Sequence, residues 1–315
     1  IEKLEKNKYI KNATVGKNNF INLVLSNIYF DENITKKLID LNTNKKDTLI
    51  DYGGPNIGKA LHVGHLRTLN IGRSIYNINK IAGNKVVSDI HLGDWGMPVA
   101  SILAYIEHNK IDIKSITYGD LESIYPDANN LIKADINFYN KAKNIAKKLN
   151  DGEVESLKNW EIIFDISVKE IKKLLEEMNH SFDFFYGESS VVKETNQVID
   201  DAKVNDRVTL DNGALVSKEK HEPPIILIKS DGSFLYLTTD LGTVYFREKS
   251  DDYDQYLYVV DQRQTNHFEQ LFATVKYFEL SSSSFTHVSY GTMNGADNKP
   301  LKTRDGGVYK LITLR

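Results

Sequence analysis

The stretch from Asp47 to His91 constrains the fold more than any other part of the 315-residue chain. DTLIDY (47–52) is a short run of strand-forming residues, GGPNIGKA (53–60) is a glycine-rich loop, and LHVGHLRTLNIGRSIYNINKIAG (61–83) repeats apolar residues at helical spacing until Gly83 ends it. KVVSDIH (85–91) reads as a second strand. Strand, helix and strand in that order predict a βαβ unit of nucleotide-binding topology, with ligands held by the loops at the carboxyl ends of its strands.

From about Val99 to Glu177 the pattern is helical with long polar stretches, which predicts an inserted helical segment. From Asp206 the period falls to two. DRVTLDNGALVSKE predicts two strands around an Asp-Asn-Gly turn, and PIILIKSDGSFLYLTT repeats that design around Ser-Asp-Gly. A helix from Asp240 to about Glu248, a strand at 255–260, a helix from about His267 to Phe278 and a strand near FTHVSYG return to parallel α/β order. The expected fold class is therefore α/β, a parallel sheet with a mainly helical insertion.

Composition supports an ordinary globular chain, 41% hydrophobic and 26% charged. No apolar run approaches the roughly 18 residues of a membrane span, so neither a membrane partner nor a signal peptide is expected. The absence of cysteine excludes disulfides and thiolate metal sites. The cytoplasm is the expected location. The net charge is −3, but residues 1–110 hold 15 basic and 10 acidic residues against 12 and 18 in 111–204, so a polyanion is expected to meet the early part. With seven arginines among 40 basic residues, its contacts fall mostly to lysine. Ile1 in place of methionine, and a stop at Arg315 just after VYKLIT, lead to the expectation of an internal fragment.

Chemistry concentrates in GGPNIGKALHVGH (53–65). A helix N-terminus offers free N–H groups and partial positive charge, Gly58 and Gly64 open the backbone to a flat ligand, and His62 and His65 stand three apart on one predicted helical face. Both imidazoles are thus expected to face one phosphate. Two surface histidines, or a metal pair without a third ligand, are the competing readings; no metal site is expected.

His62-Val63-Gly64-His65 resembles the H-I-G-H signature of class I aminoacyl-tRNA synthetases, and its setting, with HLGDWG (91–96), resembles the arginyl enzymes. The similarity continues in order through FFYGES (184–189), SDGSFLYLTTDLG (230–242), QTNHFEQL (264–271) and KPLKTRDGG (299–307), and covers the chain from about Asn19. It implies a Rossmann catalytic domain that activates L-arginine with ATP and Mg2+ and transfers it to tRNA(Arg). It also implies a division into the end of an N-terminal appended domain with linker (1–35), the first half of the catalytic domain (36–110), the insertion (111–205) and the second half with its signature loop (206–315). The anticodon-binding domain would lie beyond, and a monomer is expected.

A guanidinium is planar, always charged and rich in donors, so a selective pocket needs carboxylates and a hydroxyl at fixed places. The resemblance assigns these to Glu188, Asp240 and Tyr236. It gives the α-amino group to Asn56 and Gln264, includes Gly54, Pro55 and His65 around the amino acid, and lays ATP along Gly58, Lys59, His62, Gly64, His65, Lys302 and Arg304. Lys59, His62, His65 and Lys302 are the expected catalytic groups. The usual K-M-S-K-S signature reads Pro300-Leu301-Lys302-Thr303-Arg304 here, so Thr303 replaces a lysine, and Lys59 is the expected compensating cation. Asp89, His91 and Asp94 border the predicted site without an assigned role, and Trp95 is expected to pack. Another class I synthetase, a histidine-glycine nucleotidyltransferase and a non-catalytic tRNA-binding paralogue are the alternatives.

Overall fold

The computed structural model describes residues 2–17, 20–33, 45–230 and 232–292. Lys302, Thr303 and Arg304 therefore lie outside the described residues, as does the rest of KPLKTRDGG. The chain divides into two units, residues 1–45 and 46–315. In the smaller, α1 (Glu2–Glu5) precedes β1 (Ile10–Val15) and β2 (Ile21–Leu25), which pair antiparallel, and α2 (Asn27–Asn33) follows.

The larger unit begins with β3 (Asp47–Tyr52), α3 (Val63–Ile81) and β4 (Lys85–Asp89), the expected βαβ unit. Then come α4 (Met97–His108), α5 (Tyr118–Ala134), α6 (Ile136–Asn150), α7 (Val154–Glu177) and α8 (Val192–Val204). A small antiparallel sheet of β5 (Val208–Asp211), β6 (Ala214–Ser217) and β7 (Ile226–Ile228) leads to α9 (Tyr236–Ser250). The chain then returns to the main sheet through β8 (Gln255–Asp261), α10 (Thr265–Tyr277) and β9 (Ser284–Tyr290).

The main sheet has the order β4-β3-β8-β9, all parallel. Alternation along β3 explains why it is central: Leu49 joins a core with α8, α9 and α10, while Ile50 and Tyr52 join another with α3 and α7. Both faces are covered, as a parallel sheet requires. A third core fills α4 to α6, and α7 bridges it to the sheet, with Ile163 in one and Ile171 and Leu175 in the other. Because β3 connects through α3 to one side and β8 through α10 to the other, a crevice opens between their carboxyl ends, where ligands bind in such sheets.

One expectation needs correction. The second arm predicted around Ser-Asp-Gly is reduced to a single bridge, Ile228 with Phe234, and YLTT is the first turn of α9. Thr238, whose β-branching favours a strand, turns its hydroxyl to the Leu227 carbonyl at 2.5 Å instead. Tyr236 and Asp240 consequently stand four apart on one helix, where such residues share a face.

Candidate active site

The crevice holds a cavity of about 650 Å³. Gly54, Asn56, Lys59, His62, Gly64, His65, Glu188, Tyr236, Asp240 and Gln264 all line it. Pro55 and Gly58 do not. The Pro55 carbonyl accepts from the Gly93 N–H (2.9 Å), joining the loop after β3 to the loop after β4. Gly58 has a φ of +71°, donates its N–H to Ser167 Oγ (3.0 Å), and would drive a Cβ to 2.4 Å from Ile102 Cδ1. Its lack of a side chain serves this turn against the core, not the approach of a flat ligand.

His62 also differs from expectation. It precedes α3 as its cap instead of standing on its face, with Nδ1 accepting from the Gly64 N–H (3.1 Å) while its own N–H donates to His65 Nδ1 (3.1 Å). This reciprocal box satisfies backbone donors at the helix start. It also sets the tautomers: each Nδ1 accepts, so a neutral ring carries its proton on Nε2. The rings lie 4.0 Å apart. Burial, then the neighbouring histidine and Lys59, pull His65 down to about 3, and burial followed by Lys59 also lowers His62. At neutral pH the pair thus presents two uncharged N–H donors. The Lys59 ammonium rests over the Tyr125 ring of α5, 4.4 Å from its centroid.

Glu188, also in the cavity lining, opens a short 3-10 turn, Glu188–Val191, and donates its backbone N–H to the Leu92 carbonyl (3.1 Å). The turn is braced by Asp94, fully buried, which accepts from the Ser189 N–H (2.9 Å) and hydroxyl (2.5 Å). Gly187 has to be glycine, since a Cβ there would sit 2.4 Å from Asp94 Oδ2. Burial, with the negative charges of Asp240 and Asp94, pushes Glu188 up to about 8. Tyr236, 66% exposed, stands at the mouth. Asp240 Oδ2 accepts from His267 Nε2 at 2.6 Å.

Below this end lies a second set of charges. Arg247, 3% exposed, reaches Asp51 Oδ2 and Asp89 Oδ2, each at 2.6 Å from Nη2, and so ties α9 to β3 and β4. Asp89 also accepts from the His91 and Tyr186 N–H groups (3.3 Å each), and His91 Nε2 lies 3.4 Å from Thr243 Oγ1. Asp89 and Asp94 thus anchor the walls, and His91 lines the cavity. Trp95 packs edge-on against Trp160, whose Nε1 donates to the Asp94 carbonyl. Sequence reasoning missed His267 and Arg247. Their partners lie 27, 196 and 158 residues away, and no local pattern connects them.

The profile of the family "tRNA synthetases class I (R), catalytic domain" matches residues 26–315. The chain belongs to that family. A relative named arginine–tRNA ligase from Alkaliphilus oremlandii is 38% identical over 84% of this chain and 49% of its own length. Another of that name, from Francisella tularensis subsp. novicida, is 33% identical over all of this chain and 58% of its own. The chain thus spans about half the length of the curated relatives it matches. Among solved structures, the arginyl-tRNA synthetase of Plasmodium falciparum aligns with a TM-score of 0.68 and 25% identity, over 91% of this chain and 53% of that one. The Thermus thermophilus arginyl-tRNA synthetase, at 16% identity and a TM-score of 0.67, covers 98% of this chain and 58% of its own and shares the fold.

Proposed function

We propose that the chain is the catalytic part of an enzyme that activates L-arginine with ATP and transfers it to tRNA(Arg). One observation carries this reading: a single cavity holds both a pair of neutral imidazole donors at a helix N-terminus and the carboxyl groups of Glu188 and Asp240. The first suits a phosphate, the second a guanidinium.

In the proposed reaction an oxygen of the arginine carboxylate attacks the α-phosphorus of ATP. The bond from that phosphorus to the bridging oxygen breaks, and pyrophosphate leaves with the Mg2+ that entered on the nucleotide. The 2′-hydroxyl of the terminal ribose of tRNA then attacks the adenylate carbonyl, forming the ester and releasing AMP. No side chain acts as a nucleophile, so the protein contributes positioning and charge stabilisation. His62 and His65 donate Nε2–H to phosphate oxygens, with Lys59, Lys302 and Arg304 as cations. Asn56 and Gln264 accept from the α-ammonium. Glu188 and Asp240 hold the guanidinium, and Tyr236 covers it from the mouth.

ATP–pyrophosphate exchange by the full-length protein, measured with each amino acid in the presence of tRNA(Arg), tests the reading. Exchange dependent on arginine is expected. Exchange that needs no amino acid, as in a nucleotidyltransferase, or that follows another amino acid, would overturn it.

A further inference from the structure

The Asp240 carboxylate is held from one side. Its Oδ2 is taken by His267 at 2.6 Å, and among the described residues no donor occupies Oδ1. His267 is itself held in place. It lies in the first turn of α10, and its ring meets Phe268 edge-on at 5.3 Å. Phe268 is buried and packs on Tyr258 and His287. An Nε2–H donor on a packed helix therefore fixes the rotation of the Asp240 carboxylate, and both side chains line the cavity.

A lone carboxylate with two open oxygens takes a guanidinium as a fork, two parallel N–H···O bonds along one edge. His267 engages one lone pair of Oδ2, so the remaining lone pairs of both oxygens are presented to a ligand in one fixed orientation. Glu188 lines the same cavity and adds a second carboxyl group. We infer that His267 is a positioning residue for amino-acid recognition, which fixes the rotation of Asp240 so that its free lone pairs face the substrate guanidinium. The inference rests on the arginine reading of the site and extends it to what orients the carboxylate.

The test uses calorimetric binding of arginine and ATP to the wild type, His267→Leu and His267→Gln. Glutamine keeps an N–H near the position of Nε2, and leucine removes it. Arginine binding to His267→Leu is expected to weaken about 10- to 100-fold, the scale of one hydrogen bond to a charged group. ATP binding should be unchanged, and His267→Gln should stay close to wild type. Unchanged arginine affinity in His267→Leu would overturn the inference, as would equal losses of arginine and ATP binding, the mark of a general structural role. A wild type that binds ATP but no arginine would overturn the functional reading itself, and this inference with it.

Discussion

The two ends of the cavity treat charge in opposite senses. Around the start of α3, groups able to become cations are kept neutral, with His65 drawn down to about 3 by burial, His62 and Lys59. Beside α9 a group able to become an anion is kept protonated, with Glu188 pushed up to about 8 by burial and two nearby carboxylates. The physics is the same at both ends, since low polarity and a like charge each disfavour the ion. A guanidinium reverses the balance at Glu188 by favouring the ionised carboxyl, whereas the imidazoles, whose Nδ1 atoms accept from backbone N–H groups, stay neutral donors. The buried trio of Arg247, Asp51 and Asp89 is the contrast, for its one guanidinium already bridges two carboxylates and ties α9 to β3 and β4. Glu188, by comparison, gains its charge when a ligand of opposite charge arrives.

The sharpest way to break the comparison is to alter one end and look for an effect at the other. Asp240→Asn removes a charge from the guanidinium end and is expected to weaken arginine binding by about 2–4 kcal/mol, the range for breaking a desolvated charged pair. ATP binding should hardly change. Calorimetry that finds arginine affinity intact, or both ligands weakened alike, would deny that the ends are separate.

Lys59 probes the other end. Its removal should slow adenylate formation about 100-fold, the scale for one preorganised charge-stabilising group, with arginine affinity close to wild type. Because the ammonium helps hold His62 and His65 neutral, Lys59→Ala should also raise both imidazole pKa values. Imidazole titration by NMR reads this directly. Unmoved histidines would show that burial and the contact between the two rings set their state without Lys59.

Much of the framework was open to sequence reasoning, because β3, β4 and β8 are apolar runs closed by glycine or charge, and α3 has a regular period with Gly83 after it. Local chemistry misled at two places. Ser-Asp-Gly and the β-branched threonines suggested a hairpin, whereas packing of Leu237 and Leu241 into the core and the bond from Thr238 to Leu227 favour a helix from Tyr236. His62 looked like one of two residues on a helical face, and its role as cap depends on backbone geometry that spacing does not reveal. The partners of Asp240 and Arg247 were hidden for a different reason. They are made by the crossing of α9 over strands and helices distant in sequence, so only the fold brings them together.

The smallest predicted effect tests the comparison most directly, because it depends on a proton alone. Glu188 in the free chain holds its proton up to about pH 8. A bound guanidinium favours the ionised form, so its pKa in the complex lies below its pKa in the free protein. Arginine affinity should therefore rise with pH below 8 and level off above it. For one such proton the gain from pH 7 to pH 8 is about fivefold, and at pH 7 close to one proton should be released per arginine bound. Calorimetry in buffers of different ionisation enthalpy measures that release. Glu188→Gln has no carboxyl proton to lose and should bind with little release, and any slope that persists at lower pH belongs to His267, which burial alone would lower but which the bond to Asp240 raises overall. Wild-type affinity that stays flat between pH 7 and pH 8, with no proton released, would mean that Glu188 is ionised before the ligand arrives.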